Sequence, residues 1–190
     1  MKKLISEIEA YTPYNEQERI DKAVILSCLN DYSDIFTREN KIAHMTASAW
    51  VVNRPMDKIL MIYHNIYDSW SWLGGHADGQ TDLLNVAIKE VKEESGVTDV
   101  KPLDTAIFSL ESLTVDGHIK NGVYVPSHLH LNLTYLLVAD DAAPLIIKHD
   151  ENSNVAWFSL HHAVQASSEP WFRDNIYSKL NKKLAKFYIK

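Results

Sequence analysis

Apolar and polar residues follow two different periods along this chain, and each period predicts a type of secondary structure. His44–Val52 and Lys58–His64 are short, mostly apolar runs with valine, isoleucine, methionine and aromatic residues, which is typical of β-strands. Asn53–Asp57 lies between them and predicts a turn, because it contains proline and polar residues. The same reasoning predicts strands at Ala106–Leu113, Leu129–Val138 and Val155–Leu160 and a loop at Asn65–Trp72. Asp116-Gly117 and Asn121-Gly122 are turn signals, so the region between the first two of these strands is either a hairpin or a long excursion.

Helical spacing of apolar residues predicts helices at both ends of the chain. The first helix covers residues 1–12 and ends before Pro13, and Asn15 with Glu18 forms a capping box that starts a second helix. We expect the second helix to pack through Ile20, Ala23, Val24 and Leu29, and a C-terminal helix over 169–188 to pack through Trp171, Ile176, Leu180 and Leu184.

These elements predict an α/β (α+β) domain with an addition at each end. We assign residues 1–42 to an N-terminal helical extension and residues 43–165 to the domain that carries the strands. Residues 166–190 then form a C-terminal helix that packs on this domain. The chain has 190 residues, 46% of them hydrophobic, so it can bury a core of the expected size.

The segment Gly74–Val97 is the part of the chain with the most specific pattern. It opens with glycines, which allow tight turns and a close approach of the backbone to a ligand. A helix follows, for which Thr81 is the expected N-cap and Gly96 the expected stop. At about 100° per residue the apolar residues fall on one arc of roughly 140°: Leu83, Leu84, Ala87, Ile88 and Val91, with Asn85, Lys89 and Lys92 opposite.

Three glutamates of this helix lie in an unusual place. Glu94 falls inside the apolar arc, and Glu90 lies about 20° beyond its edge, beside Glu93. Carboxylates at the edge of a buried stripe lose hydration and repel one another, and a hard divalent cation relieves both problems. An ordinary solvent-exposed acidic face is the competing interpretation. The glycine loop before the helix favours a metal site.

This segment resembles the Nudix box, G-x5-E-x7-R-E-U-x-E-E-x-G-U, in which U is a bulky aliphatic residue. Thr81 replaces the first glutamate of the motif, with Asp82 as a candidate substitute, and Lys89 replaces the arginine. The resemblance covers about residues 43–165 and implies an α/β/α sandwich with a mixed β-sheet. The matching positions are Gly75, Glu90, Val91, Glu93, Glu94, Gly96 and Val97.

The resemblance implies a Mg²⁺-dependent hydrolase, with Mn²⁺ as an alternative ion, that cleaves the diphosphate bond of a nucleoside diphosphate linked to another group. Glu90 and Glu94 would bind the metal, Glu93 would bind it or orient water, and the Gly75 carbonyl would be a further ligand. Nucleoside triphosphates, including oxidised ones, are favoured over ADP-ribose and nucleotide sugars, because the chain shows no clear match to the downstream proline marker of the ADP-ribose enzymes.

The general base and the substrate contacts are less specific in the sequence. The base varies in position within the family, and Asp150-Glu151 before the last strand is the loop candidate, from which we select Glu151. An exposed acidic turn is the competing interpretation, and Glu111 is a weaker alternative. Trp70 and Trp72 are candidates for stacking on a base, although packing would account for either residue.

Four histidines form a second pattern. His44 starts a strand, His76 follows the two glycines, and His128 and His130 alternate on another strand, so their side chains point to the same face. Neutral imidazole is a common metal ligand, so these four residues are candidates for a polar or metal-binding cluster. His76, His128 and His130 are also candidate substrate contacts. The competing interpretation is that each is an ordinary hydrogen-bonded side chain.

Two other functions stay open at this point. The departures at Thr81 and Lys89 allow a non-catalytic Nudix-fold module that binds or senses nucleotides, which would bind metal without turnover. Isopentenyl diphosphate isomerase has a related fold and carries Cys-Gly-His where this chain has Gly74-Gly75-His76. Because that enzyme uses the cysteine in catalysis, Gly74 argues against an isomerase.

Charge and composition restrict the class of partner and the compartment. The net charge is −6 and lysines cluster only near the C-terminus, which argues against nucleic-acid binding. Cys28 is the only cysteine, and Glu7 and Glu9 interrupt the apolar start of the chain. No apolar run reaches the roughly 20 residues that span a bilayer. We therefore expect a cytoplasmic protein that binds a small nucleotide and no membrane; a homodimer, frequent in the family, stays open.

Overall fold

The computed structural model describes residues 1–120, 122–149 and 151–189, and these residues form a mixed α+β fold, as the sequence predicts. The α-helices are α1 (Lys2–Ala10), α2 (Glu16–Asp31), α3 (Leu83–Ser95), α4 (Leu160–Ala166) and α5 (Ser178–Ala185). A π-helix at Phe172–Tyr177 leads into α5, and a 3-10 helix at Lys186–Ile189 follows it. The strands are β1 (Ala43–Asn53), β2 (Lys58–His64), β3 (Ser69–Ser71), β4 (Leu73–His76), β5 (Val100–Pro102), β6 (Ser109–Val115), β7 (His118–Lys120), β8 (Val123–Val125), β9 (His128–Ala139) and β10 (Asn152–Ser159).

The chain divides into two compact units. The first unit contains residues 1–48, 74–87 and 105–135, and the second contains residues 49–73, 88–104 and 136–190. Elements such as β1, α3 and β9 therefore contribute residues to both units. The division into an extension, a central domain and a C-terminal helix stays a prediction.

The first unit is built on β1, β4, β6 and β9. β6 and β9 are antiparallel, with Glu111 opposite Asn132, and β1 pairs with β4 and with β9. β7 and β8 form a separate antiparallel hairpin with Ile119 opposite Tyr124. The sequence places the turn of this hairpin at Asn121-Gly122, and Asn121 lies outside the described residues.

In the second unit, β2 lies between β1 and β10 and is antiparallel to both. β3 also pairs with β2, so the segment expected to be a loop at 65–72 contains a short strand. β5 pairs with the end of β9. β3 and β5 have three residues each, which is too short for a hydrophobic period to be recognised in the sequence.

The second helix buries a face different from the one that the sequence indicated. Asn15 is the N-cap, as predicted, because its side chain accepts from Glu18 N–H at 3.0 Å, whereas the Glu18 carboxylate accepts from Tyr14 N–H at 2.7 Å. Ile25 and Leu29 are buried, but Ile20 is 47% exposed. At about 100° per residue Glu18, Ile25 and Leu29 fall within one narrow arc, opposite Ile20. The prediction was wrong for Ile20 and Ala23, which are both exposed, because the apolar pattern does not include the buried Glu18 that lies on the packed face.

Glu18 anchors α2 on β6 through a buried polar network. Its carboxylate accepts hydrogen bonds from the Tyr11 hydroxyl at 2.5 Å, from Tyr14 N–H at 2.7 Å and from the Ser109 hydroxyl at 2.8 Å. Ser109 also contacts Glu111, and both glutamates have no exposed surface. Burial, together with the Glu18 charge, raises the pKa of Tyr11 well above its usual range. These bonds replace the water that a buried carboxylate loses.

The C-terminal segment is helical, as expected, but only part of it packs as expected. Ile176, Leu180 and Leu184 have no exposed surface, whereas Trp171 is 47% exposed. Trp171 lies before the π-helix and contacts Phe172 edge-on, with ring centroids 5.6 Å apart. The expectation that Trp171 enters the core is therefore wrong.

The N-cap of α3 is Asp82 instead of Thr81. The Asp82 carboxylate accepts from Asn85 N–H at 3.1 Å and from the Asn85 side-chain amide at 2.7 Å. A side-chain oxygen that accepts from the third residue of a helix is the usual geometry of an N-cap. The acidic group that starts the helix thus lies one residue later than in the motif.

We predict that Asp82→Ala lowers the free energy of unfolding by about 1 kcal/mol, because the first turn of α3 loses its cap. Thr81→Ala is the matched control and should change it by no more than about 0.5 kcal/mol. Urea denaturation of both variants measures the difference. An equal loss in the two variants would contradict the assignment of Asp82 as the cap.

Candidate active site

The three glutamates of α3 differ in exposure. Glu94 is buried, with 3% of its surface exposed, Glu90 is half-buried, and Glu93 is exposed. Glu90 and Glu94 are one helical turn apart, so their side chains lie on the same face of α3. Burial raises the pKa of Glu90, while the neighbouring Lys89 opposes that rise. Glu94 is therefore buried, as its position inside the apolar arc indicates, and Glu93 is the most exposed of the three.

The segment before β10 is held on the C-terminal end of α3 by hydrogen bonds to its last carbonyls. Ile146 N–H donates to the Ser95 carbonyl at 2.8 Å, and the Asn152 side-chain amide donates to the Glu94 carbonyl at 3.0 Å. Gly96 ends the helix at φ +74, and a Cβ there would lie 2.6 Å from the Ile146 side chain. The glycine stop thus also makes room for this segment.

Docking of this segment brings Glu151 to the helix glutamates. One carboxylate oxygen from each of Glu90, Glu94 and Glu151 lies within 4.8 Å of the others. Lys148 Nζ is 2.7 Å from Glu151, and Glu151 N–H donates to the Lys148 carbonyl at 2.9 Å. Glu151 is the loop residue selected from the sequence; its neighbour in that selection, Asp150, lies outside the described residues.

Glu93 points toward lysines. Its carboxylate is 3.2 Å from Lys89 Nζ and 4.0 Å from Lys148 Nζ. Lys89 also lies 3.4 Å from Glu90, so the lysine that replaces the arginine of the motif binds two of the motif's glutamates. Lys148 and Asn152 are functional neighbours that the sequence analysis missed. Lys148 had a weak signal in its three-residue spacing from Glu151, while Asn152 had none, because its role depends on burial.

Donor chemistry decides which metal these residues fit. Three carboxylates, one of them buried, supply only oxygen ligands, and such sites suit hard divalent cations. A bound cation would also offset the repulsion and lost hydration of the acidic groups. The residues therefore fit the divalent metal on which Nudix hydrolases generally depend.

The other candidates of the sequence analysis occupy several positions. Gly75 is half-buried in β4. Trp70 is half-buried in β3, where its ring contacts Tyr63 and Phe158 edge-on. Trp72 is 9% exposed and packs against Tyr177, so it has little surface left for a ligand. Glu111 is fully buried and accepts from Asn132 and Thr134, both at 3.0 Å.

Gly74 lies where the backbone has no room for a side chain. A Cβ at this residue would lie 2.5 Å from the Ala47 carbonyl oxygen and 2.7 Å from the Ser48 side-chain oxygen. These distances are far below a normal contact, so the backbone would have to shift to accept a cysteine here. Position 74 therefore has neither the cysteine of the isomerase nor room for one.

The histidines His44, His76, His128 and His130 lie together in the first unit. The ring centroid of His44 is 5.1, 4.7 and 5.0 Å from those of His76, His128 and His130, respectively. The cluster that the strand pattern indicated therefore exists as a set of neighbouring rings.

Among the described residues, no helix is both long and apolar enough to cross a membrane.

Comparison with known proteins places this fold in a family. The family model for the NUDIX domain matches residues 43–180. Structures with a similar fold include a NUDIX-family hydrolase from Clostridium perfringens (TM-score 0.54, 20% identity, 76% of this chain and 97% of that chain). Another is a MutT protein from Methanosarcina mazei Go1 (TM-score 0.54, 17% identity, 74% of this chain and 94% of that chain). A third is a C. elegans Ap4A hydrolase in a binary complex (TM-score 0.51, 18% identity, 76% of this chain and 97% of that chain). No curated protein matches the sequence.

The family match identifies the class of enzyme, a hydrolase that acts on pyrophosphate bonds. Since the NUDIX match covers most of the chain, the protein belongs to the NUDIX family. The resemblance stated from the sequence and the expected class of hydrolase are both confirmed. The family match also extends beyond residue 165, into the C-terminal helical segment.

We predict that Asn152→Ala destabilises the protein by about 1–3 kcal/mol, because it removes a buried hydrogen bond between the β10 segment and α3. Asn154→Ala is the matched control, since this exposed residue is two positions away, and should cost less than about 0.5 kcal/mol. Chemical denaturation measures both. If Asn152→Ala were as stable as the control, the Asn152–Glu94 bond would not be what holds the segment.

Proposed function

We propose that this protein is a Mg²⁺-dependent hydrolase that cleaves the diphosphate bond of a nucleoside diphosphate linked to another group. The proposal rests mainly on one observation, the convergence of Glu90, Glu94 and Glu151 to within 4.8 Å. In it, Glu90 and Glu94 hold the metal, and Mn²⁺ is an alternative ion. The carbonyl of Gly75 as a further ligand stays an expectation from the resemblance.

The chain's own residues have separate roles in this proposal. A bound divalent metal supplies electrostatic stabilisation for charge that develops on phosphoryl oxygens. The Glu151 carboxylate takes the proton from the attacking water, and Lys148 orients that carboxylate through the 2.7 Å ion pair. Glu93 lies outside the group of three, so we assign it the lesser role of placing positive charge beside the site through Lys89 and Lys148.

Nucleoside triphosphates, including oxidised ones, are the substrates we favour over ADP-ribose and nucleotide sugars. The support is the lack of a clear ADP-ribose marker in the sequence. Dinucleoside polyphosphates are included among the candidates because one structural neighbour is an Ap4A hydrolase. Trp70 keeps more exposed surface than Trp72, so it is the better candidate for stacking on the base. Substrate contacts by His76, His128 and His130 stay predictions.

Residues 1–42 are, in this proposal, a helical extension to the hydrolase domain, and residues 166–190 are a C-terminal helix that packs on it. Buried Leu4, Ile8, Ile25 and Leu29 support a packed extension over a free one. A cytoplasmic location and a homodimer stay predictions from the sequence.

The first test incubates the protein and Mg²⁺ with nucleoside triphosphates, oxidised guanine nucleotides, ADP-ribose, nucleotide sugars and dinucleoside polyphosphates, and separates the nucleotide products by chromatography, because cleavage of a diphosphate bond releases phosphomonoesters or pyrophosphate. We expect turnover of a triphosphate and a loss of kcat on the order of 100-fold or more in Glu94→Gln. Glu16→Gln, an exposed carboxylate on α2, is the matched control and should keep full activity. Mg²⁺ binding without turnover of any compound would instead favour a non-catalytic nucleotide-binding module.

A second test separates the two adjacent glutamates of α3. Glu94→Gln should weaken Mn²⁺ affinity by roughly 10-fold or more, because it removes a buried ligand. Glu93→Gln should weaken it by less than about 3-fold, because an exposed carboxylate paired with lysines contributes little. Titration monitored by water-proton relaxation gives both affinities. Equal losses would show that Glu93 is also a ligand, as the resemblance implies.

A further inference from the structure

In the histidine cluster of the first unit, ring nitrogens lie close enough to one another to bind a single metal ion. One ring nitrogen from each of His44, His76 and His130 lies within 4.8 Å of the others. The rings of His76 and His130 are edge-on, with centroids 4.8 Å apart. His44 is 5% exposed and the other two are half-buried, so the group is partly accessible to solvent.

Backbone contacts determine which nitrogen of His44 carries a lone pair. His44 Nδ1 is 3.1 Å from the Asn40 carbonyl oxygen. Because a carbonyl only accepts, Nδ1 must carry the proton, and Nε2 then has the lone pair. Within the described chain, His44 Nε2 is buried without a hydrogen-bond partner. A buried acceptor without a partner is costly, and a ligand bound by this atom would remove the cost.

The same reasoning applies along β9. His128 Nδ1 is 2.8 Å from the Pro126 carbonyl, so neutral His128 has its lone pair on Nε2. That atom lies 3.2 Å from His130 Nε2, which must therefore donate. The lone pair of His130 is then on Nδ1. An imidazole that donates its second N–H to a fixed acceptor is the usual arrangement for a metal-binding histidine.

The surroundings of His44, His76 and His130 lower the pKa of each of these three rings. Burial lowers the pKa of His76 to about 3 and that of His130 to about 2, and it also lowers the pKa of His44. Arg38 contributes a smaller effect in the same direction, and its guanidinium is paired with Asp78 at 2.7 and 2.5 Å.

We propose that His44, His76 and His130 form a binding site for a divalent transition-metal ion of the Zn²⁺ class, with His128 orienting His130. Imidazole nitrogens select such borderline ions over Mg²⁺, which prefers oxygen. Three imidazoles leave one coordination position open, as in zinc sites that bind water or a ligand. This site goes beyond the proposed hydrolase function, whose metal-binding and catalytic carboxylates, Glu90, Glu94 and Glu151, belong to the second unit.

The test uses the full chain without an affinity tag, first treated with a chelator. After Zn²⁺ is added and unbound metal is removed, elemental analysis should find one Zn²⁺ per chain. Co²⁺ should give the visible absorption of a low-coordinate nitrogen site, and Zn²⁺ should abolish it. The double variant His76→Gln/His130→Gln should weaken binding by at least about 10-fold.

The matched control is His161→Gln/His162→Gln, which removes two exposed histidines of α4 and should bind Zn²⁺ and Co²⁺ like the natural chain. Glu94→Gln should also keep the Co²⁺ spectrum while losing hydrolysis. A failure of the hydrolase proposal can therefore be distinguished from a failure of the histidine site. Circular dichroism establishes that each variant is folded. The site is refuted if the folded natural chain retains no Zn²⁺ and gives no Co²⁺ absorption, or if the folded His76→Gln/His130→Gln variant gives both unchanged.

Discussion

Burial of carboxylate groups is the physical constraint on which much of this structure depends. An ionised carboxylate that leaves water must find hydrogen-bond donors or cations, or its charged form becomes unfavourable. The first unit meets this requirement with donors from the protein, because Glu18 receives three hydrogen bonds from Tyr11, Tyr14 and Ser109. The result is a fixed attachment of α2 to β6.

The acidic group of α3 meets the same requirement in a different way. Lys89 and Lys148 lie at its edge, and three carboxylates still converge on one point. A cation at that point would lower the energy of all three groups at once. In the proposed function, this cation is the metal that stabilises charge on the phosphoryl oxygens.

Each compact unit carries a donor set of its own. Oxygen ligands of the second unit suit hard ions, whereas imidazole nitrogens of the first unit suit borderline ions. In both units, hydrogen bonds to backbone carbonyls position the candidate ligand groups. The Glu94 carbonyl binds the segment that carries Glu151, and the carbonyls of Asn40 and Pro126 orient imidazole rings. Ligand geometry here thus depends on main-chain atoms as much as on the ligands.

Local patterns in the sequence were enough to predict the strands β1 and β2, the end of α3 at Gly96 and the inner pair Glu90 and Glu94, because each depends on neighbours within a few residues. Short strands such as β3 have too few residues for a period to be recognised. The buried face of α2 and the cap at Asp82 depended on hydrogen bonds that only the folded chain makes visible. Tertiary structure alone brought Glu151 to α3 and the four histidines to one another, since residues far apart in sequence meet only when the segments between them fold.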